Sequence, residues 1–252
     1  MDAHHADPSL KGKLRRRLSR LQARRPAPGR PDRPTVTFSF DDAPVSAAET
    51  GAALLESFGL RGSYFIAAGL VGATGPMGPN ADARQIRRLI AAGHEIGCHT
   101  HSHLDCGQAS AEAMSADVER NRAAVLAFGA PEPVSFAFPY GDVSAPAKAA
   151  LGGRFALLRA LHHGLIRDGS DLNQAPGVGI EGPQGEHIAR RWIKRAVRQR
   201  AWLILYTHDV TEAPSPWGCT PAALERLIDT ALASGADVVT VAEGCRRIGA
   251  TA

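Results

Sequence analysis

The stretch TVTFSFDD, residues 35–42, is an apolar run that ends in two adjacent carboxylates, Asp41 and Asp42. Its β-branched and aromatic residues are typical of a strand. In α/β proteins, apolar strands lie under helices and polar residues collect at the carboxyl ends of the strands. The stretch therefore predicts an α/β fold with a site close to these two aspartates.

Strand-like and helix-like segments alternate along the rest of the chain. Apolar, β-branched runs predict strands, whereas runs with helical spacing and capping residues predict helices. The predicted strands cover 35–40, 63–68, 94–99, 135–140, 154–160, 201–208 and 236–241, and the predicted helices cover 45–59, 81–93, 110–129, 186–200 and 220–235. This alternation indicates a parallel sheet covered by helices.

The positive charge of the chain is concentrated near its start. The formal net charge is +4, and residues 11–33 contain ten lysines and arginines against the single acid Asp32. Since the remainder is close to neutral, we predict no nucleic-acid-binding surface. We divide the chain into a basic, flexible N-terminal arm, 1–34, and one folded domain, 35–252, whose candidate catalytic residues are described below.

The arm contains Leu14, Leu18 and Leu21 at helical spacing among its arginines. This pattern fits a solvated basic segment, and it also fits an amphipathic helix that contacts a membrane surface or a partner. No apolar run reaches the length of a membrane span, and the N-terminus has no secretory-signal core. The four cysteines are scattered, which predicts reduced thiols, so we expect a cytoplasmic protein.

Titratable and polar residues recur where predicted strands end. Asp41 and Asp42 end the first strand, and His99, Tyr140 and His208 end three others. Sites in barrels and open α/β sheets lie at the carboxyl ends of the strands. Adjacent residues on a strand point in different directions, so one aspartate could hold a metal while its neighbour acts as a base. Taken alone, the pair could equally cap the following helix.

The stretch EIGCHTHSH, residues 95–103, places three histidines in five positions. A helical turn after Cys98 would bring His99 and His103 to one face, whereas an extended strand would align both of them with His101. Two imidazoles and a carboxylate such as Asp42 are a common zinc ligand set that leaves room for water.

In order along the chain, these segments resemble the polysaccharide deacetylase family, which is the NodB-homology domain of carbohydrate esterase family four. The family motifs appear as SFDD at 39–42, HTHSH at 99–103, AFPY at 137–140 and, loosely, YTH at 206–208. The lead-in GHEIG, residues 93–97, is also typical. The resemblance extends from residue 35 to about residue 243.

The resemblance implies a distorted (β/α) barrel with about seven parallel strands. It implies one divalent metal, zinc before Co²⁺, Ni²⁺ or Mn²⁺, held by Asp42, His99 and His103, with His101 pointing away. It further implies Asp41 as general base, His208 as general acid, and the backbone N–H of Tyr140 as a donor to the oxyanion. Trp217, Pro139 and Asn173 are our weaker candidates for substrate contacts.

Two departures from the family pattern make this a divergent member. Ala137 stands where the family has the arginine that orients the catalytic aspartate, and the fourth motif, D-x-x-D-W, has no clear counterpart in residues 167–181. Asp41 must therefore be held in another way, and the sequence does not identify the partner of His208.

The sequence thus predicts a metal-dependent hydrolase that removes an N-acetyl group from an N-acetylated sugar or oligosaccharide, or from a glycan precursor. One alternative is a metal-dependent hydrolase of small amides. Another is a catalytically silent glycan-binding domain, although a pure binder would need neither the base nor the acid.

Overall fold

The computed structural model describes residues 7–252. Eight strands form one parallel sheet, and two more form a short hairpin. The sheet strands are β1 (Thr35–Asp41), β2 (Ser63–Ile66), β5 (Glu95–Cys98), β6 (Ser135–Ala137), β7 (Leu157–Arg159), β8 (Val178–Gly179), β9 (Trp202–Thr207) and β10 (Asp237–Val238); the hairpin consists of β3 (Thr74–Gly75) and β4 (Gly78–Pro79).

The sheet curls until its two edges meet. Its order is β7-β6-β5-β2-β1-β9-β8, and the short β10 pairs with the start of β1. The Ala160 N–H donates to the Ala175 carbonyl, and the Ala175 N–H donates to the Leu158 carbonyl, both at 2.8 Å. These bonds join the β7 edge to the segment that enters β8. The predicted distorted barrel of about seven parallel strands is confirmed.

Eight helices accompany the sheet in the described chain. They are α1 (Leu10–Ser19), α2 (Ala52–Ser57), α3 (Ala83–Ala91), α4 (Ala111–Ala127), α5 (Ala145–Leu151), α6 (Gly185–Gln199), α7 (Pro221–Ala233) and α8 (Val241–Arg247). The outward face of β1, including Phe38 and Phe40, is buried in one cluster with helix residues such as Leu55 and Leu227. The largest cluster of buried apolar side chains therefore lies between the strands and the helices that cover them, and its burial stabilises the fold.

The predicted helices and strands are present, but several begin or end at other residues than predicted, and strands such as β2, β6 and β7 are shorter. The helix predicted over 45–59 begins with a wide π-helical turn at Ala47–Gly51 before α2. The strand predicted over 236–241 is wrong beyond Val238, because the Thr240 side chain accepts from the Glu243 N–H and starts α8. Helix α5 and the two-residue strand β8 were not predicted.

The described part of the N-terminal segment contacts the domain, and the flexible arm stays a prediction. Arg15 and Arg16 of α1 contact the buried carboxylate of Asp142, at 2.5 and 3.3 Å. Farther along, the Arg25 guanidinium donates to the Phe155 carbonyl at 2.6 Å. Charged hydrogen bonds to a buried carboxylate hold the helix in place. The boundary at residue 34 stays a prediction.

The four cysteines are buried free thiols, as the sequence predicts. Within residues 7–252, no helix has both the length and the apolar character needed to cross a membrane.

Candidate active site

The carboxyl ends of β1, β5, β6 and β9 meet around one cavity of about 500 Å³. The backbone there is unusual. Seven described residues other than glycine have positive φ, and five of them lie in the turns around this cavity: Asp42, Ala43, Thr100, His103 and Tyr140. Such conformations cost free energy and persist where surrounding contacts fix them, as at functional sites.

Asp42, His99 and His103 lie together at the floor of this cavity, and all three are buried. The Asp42 Oδ1 atom is 3.6 Å from His99 Nε2 and 3.5 Å from His103 Nε2. The potential ligand atoms all lie within 4.8 Å of one another, so one cation could contact all three.

The chemistry of this group fits a divalent cation. Asp42 Oδ1 is buried and has no hydrogen-bond partner among the described residues, which is costly for a carboxylate unless a cation approaches it. His99 Nδ1 lies 2.8 Å from the Ala137 carbonyl, so that nitrogen carries the proton and Nε2 presents its lone pair. Burial lowers the pKa of His99 to about 4 despite the nearby Asp41 and Asp42, so the ring is neutral.

His101 lies outside this group. Its imidazole lies beside Gly69, where a Cβ atom would be 3.3 Å from the ring, and its backbone N–H donates to Asp117. The chain therefore turns between His99 and His103, and the extended alternative with three aligned imidazoles does not apply.

Asp41 is held by a residue that the sequence interpretation did not include. Arg159 Nη2 lies 2.5 Å from both carboxylate oxygens of Asp41, and both side chains are buried. The guanidinium carbon of Arg159 also lies 5.2 Å from the Phe65 ring centre and 5.0 Å from that of Tyr206. Burial would raise the pKa of Asp41, but the charge and hydrogen bond of Arg159, together with the charges of His99 and His208, outweigh burial. The pKa is therefore lowered and the carboxylate is ionised.

His208 is also held by a carboxylate that the sequence did not identify. Its Nδ1 lies 3.1 Å from Glu181 Oε1 and 3.2 Å from the Trp217 carbonyl. Burial disfavours the charged imidazole, but the Glu181 hydrogen bond and the charges of Asp41 and Asp42 raise the pKa of His208 to about 9. His208 is therefore protonated at neutral pH.

The candidate substrate residues divide into two groups. Trp217 and Tyr140 line the cavity, and Pro139 is buried between its lining residues Phe138 and Tyr140. Asn173 lies elsewhere, since its side-chain amide donates to the Ala23 carbonyl at 3.0 Å. The predicted substrate contact of Asn173 therefore has no support in its position.

Residues 29–152 match the polysaccharide deacetylase family. Over these residues the chain is similar to that family. A chitin deacetylase of Pestalotiopsis sp. is 27% identical over 119 residues, which are 47% of this chain and 38% of that relative. The chain thus spans well under half of the length of this curated relative.

Solved structures share the fold of this chain. The chitin deacetylase of Colletotrichum lindemuthianum has a TM-score of 0.63 at 21% identity, covering 86% of this chain and 89% of that one. The family 4 acetyl xylan esterase of Clostridium thermocellum, solved with cobalt, has a TM-score of 0.59 at 22% identity, covering 86% and 92%. At these identities the likeness shows the fold.

Relative to the family pattern, Arg159 lies directly beside the position that lacks its arginine. In the pairing of β6 with β7, Ala137 is the partner of Arg159. The side chain of Arg159 reaches Asp41 from the neighbouring strand. The arginine inside the apolar run FALLRA, 155–160, was the available signal, because a buried arginine requires a partner.

Proposed function

We propose that this polysaccharide deacetylase family member is a metal-dependent hydrolase that removes the acetyl group from an N-acetylated sugar or oligosaccharide. One observation carries the proposal. A single cavity contains an ionised carboxylate held by Arg159, a protonated imidazole held by Glu181, and the buried group Asp42, His99 and His103.

The residues Asp42, His99 and His103 would hold the cation. When bound, a divalent metal polarises a carbonyl and lowers the pKa of water toward ~7. Two imidazoles with one carboxylate favour zinc, and Co²⁺, Ni²⁺ or Mn²⁺ are alternatives. The esterase relative from Clostridium thermocellum was solved with cobalt.

Asp41 and His208 would move the protons. Asp41 accepts the proton of the attacking water, since its carboxylate is ionised and fixed by Arg159. His208 gives a proton to the departing amine, which leaves readily only when protonated. Glu181 at Nδ1 orients the ring so that Nε2 is available to the substrate.

The cavity wall would bind the sugar. Trp217 and Tyr140 both line the cavity, and aromatic rings are suited to stack on the apolar face of a pyranose. We assign the Tyr140 backbone N–H to the developing oxyanion, a donor type typically worth roughly 3 kcal/mol.

The decisive experiment measures acetate release from N-acetylhexosamine oligosaccharides and from nucleotide-linked N-acetyl sugars, with added zinc and with a chelator. Release with zinc that the chelator abolishes is the expected result, and Asp41→Asn should lose turnover while it keeps the metal. No release from any substrate by the metal-loaded protein would reject the proposal in favour of small-amide hydrolysis or a silent binding domain.

Metal binding has its own matched test, because two histidines two positions apart are expected to differ. His103→Ala should weaken zinc binding by at least about tenfold, since it removes one of three ligands. His101→Ala should leave the affinity unchanged. Calorimetric titration of both variants measures this, and equal losses would show that the ligand set is wrong.

A further inference from the structure

Helix α1 presents two different faces. The face toward the domain contains the buried residues Gly12 and Ser19, together with Arg15 and Arg16, which bind Asp142. Since successive residues of an α-helix are rotated by about 100°, Leu10, Leu14 and Leu18 share a different face of α1, and Leu10 and Leu14 border the cavity beside the Tyr140 turn. The helix thus docks through its polar side.

The outward leucines are exposed to an unusual extent. Leu10, Leu14, Leu18 and Leu21 are 84, 57, 48 and 78% exposed, and they make up four of the six large apolar side chains exposed in residues 7–252. The other two, Val134 and Leu232, lie in different segments. Scattered single apolar residues are normal on a surface, but an aligned row on one helix marks an interaction site.

Cations flank this row. Lys11, Lys13, Arg17 and Arg20 are exposed on α1 and the turn after it, and α1 contains no acidic residue. An apolar stripe bordered by lysine and arginine fits the boundary between anionic headgroups and acyl chains. A protein partner or a second copy would instead have to supply both an apolar groove and surrounding acids.

We infer that α1 is an interfacial helix that docks the enzyme on an anionic lipid surface. The leucine row enters the headgroup region, and the flanking cations contact lipid phosphates. The attachment of α1 to Asp142 makes the docking rigid with respect to the domain.

The position of α1 gives this docking a consequence for the active site. Between α1 and the Tyr140 turn lies a cavity of about 630 Å³, which Leu10 and Leu14 help to line. It shares Tyr140, Gly141 and Leu161 with the catalytic cavity. Docking through the leucine row would therefore hold the mouth of the active site close to the lipid surface.

Flotation of the full chain with vesicles tests the inference without any activity measurement, so its outcome is independent of the proposed deacetylation. We expect binding to vesicles of equal parts phosphatidylcholine and phosphatidylglycerol, and binding at least about tenfold weaker to phosphatidylcholine alone. The variant L10S/L14S/L18S should lose at least about tenfold in binding to the anionic vesicles. The matched variant V134S/L232S, which replaces exposed apolar residues elsewhere, should bind like the parent.

Every replaced side chain is exposed, so both variants should fold. Circular dichroism and thermal unfolding check this. Absence of binding to anionic vesicles by the folded parent overturns the inference, as does unchanged binding of the leucine variant. Sedimentation that reveals a dimer lost in L10S/L14S/L18S would also overturn it, since a second copy would then cover this face.

Discussion

At the scale of single residues, two charged groups of the site, Arg159 and Glu181, come from positions that the sequence did not identify. Arg159 holds Asp41 across the barrel interior, although the neighbouring strand has only Ala137 at the matching position. If Asp41 is the base, as proposed, it needs a guanidinium at its carboxylate, and it matters less which strand supplies that guanidinium.

Arg159→Met should lower kcat by roughly a hundredfold with little change in KM, because a broken buried ion pair costs about 3 kcal/mol and leaves Asp41 misplaced. Loss of the cation also raises the pKa of Asp41, so the acidic limb of the pH profile should move to higher pH. The double variant R159A/A137R should recover part of kcat, because the arginine returns to the adjacent strand. Steady-state kinetics across pH measure all three effects. Full activity of Arg159→Met would show that Arg159 does not position Asp41 for catalysis.

Glu181 should set the alkaline limit of activity. It contributes to raising the pKa of His208 to about 9, and burial alone would lower that pKa. The acid must be protonated to act, so activity should fall as pH rises through its pKa. Glu181→Gln should therefore move the alkaline limb of kcat/KM to lower pH, while Glu212→Gln, an exposed glutamate on the loop after His208, should leave it in place. An unshifted limb would show that another group titrates there.

At the scale of elements, the sequence predicted what lies within one segment. Local sequence is enough to identify the TVTFSFDD strand with its terminal aspartates, and also the HTHSH segment. Strand periodicity and histidine spacing are properties of a few neighbouring residues. These segments predicted a parallel sheet covered by helices. The resemblance to the family added the barrel and the choice of Asp42, His99 and His103, and the structure brings these three residues together.

The two residues that sequence interpretation missed depend on register between segments far apart in the chain. Arg159 matters because β7 pairs with β6 so that it lies opposite Ala137. Strand β8 has only two residues, too few for any periodic signal, yet it pairs Gly179 with Tyr206. Two residues farther along, that register sets Glu181 level with His208. Register is fixed by tertiary packing, so no local pattern reveals it.

At the scale of the whole molecule, the N-terminal helix belongs to the catalytic unit through a small number of polar contacts. Asp142 follows the Pro139–Gly141 turn, and its buried carboxylate receives Arg15 and Arg16. At the end of α1, Lys148 Nζ donates to the Ser19 carbonyl at 2.6 Å. Because the leucines of α1 face outward, apolar burial contributes little to this attachment.

Asp142→Asn should therefore release α1 while the barrel stays folded. The substitution removes the charge from a buried carboxylate that binds two guanidinium groups, which costs roughly 2 kcal/mol of attachment. The open population of α1 should rise by at least about tenfold, and tryptic cleavage at its lysines and arginines should accelerate in proportion. Asp168→Asn, which removes the same charge at an exposed position, should leave cleavage unchanged. Equal cleavage rates in the parent and Asp142→Asn would mean that other contacts, such as that of Lys148, hold the helix.

The same variant should still bind vesicles, because a detached α1 keeps its leucines. The active site should then no longer be held close to the lipid surface, because the detached helix no longer fixes the domain beside it.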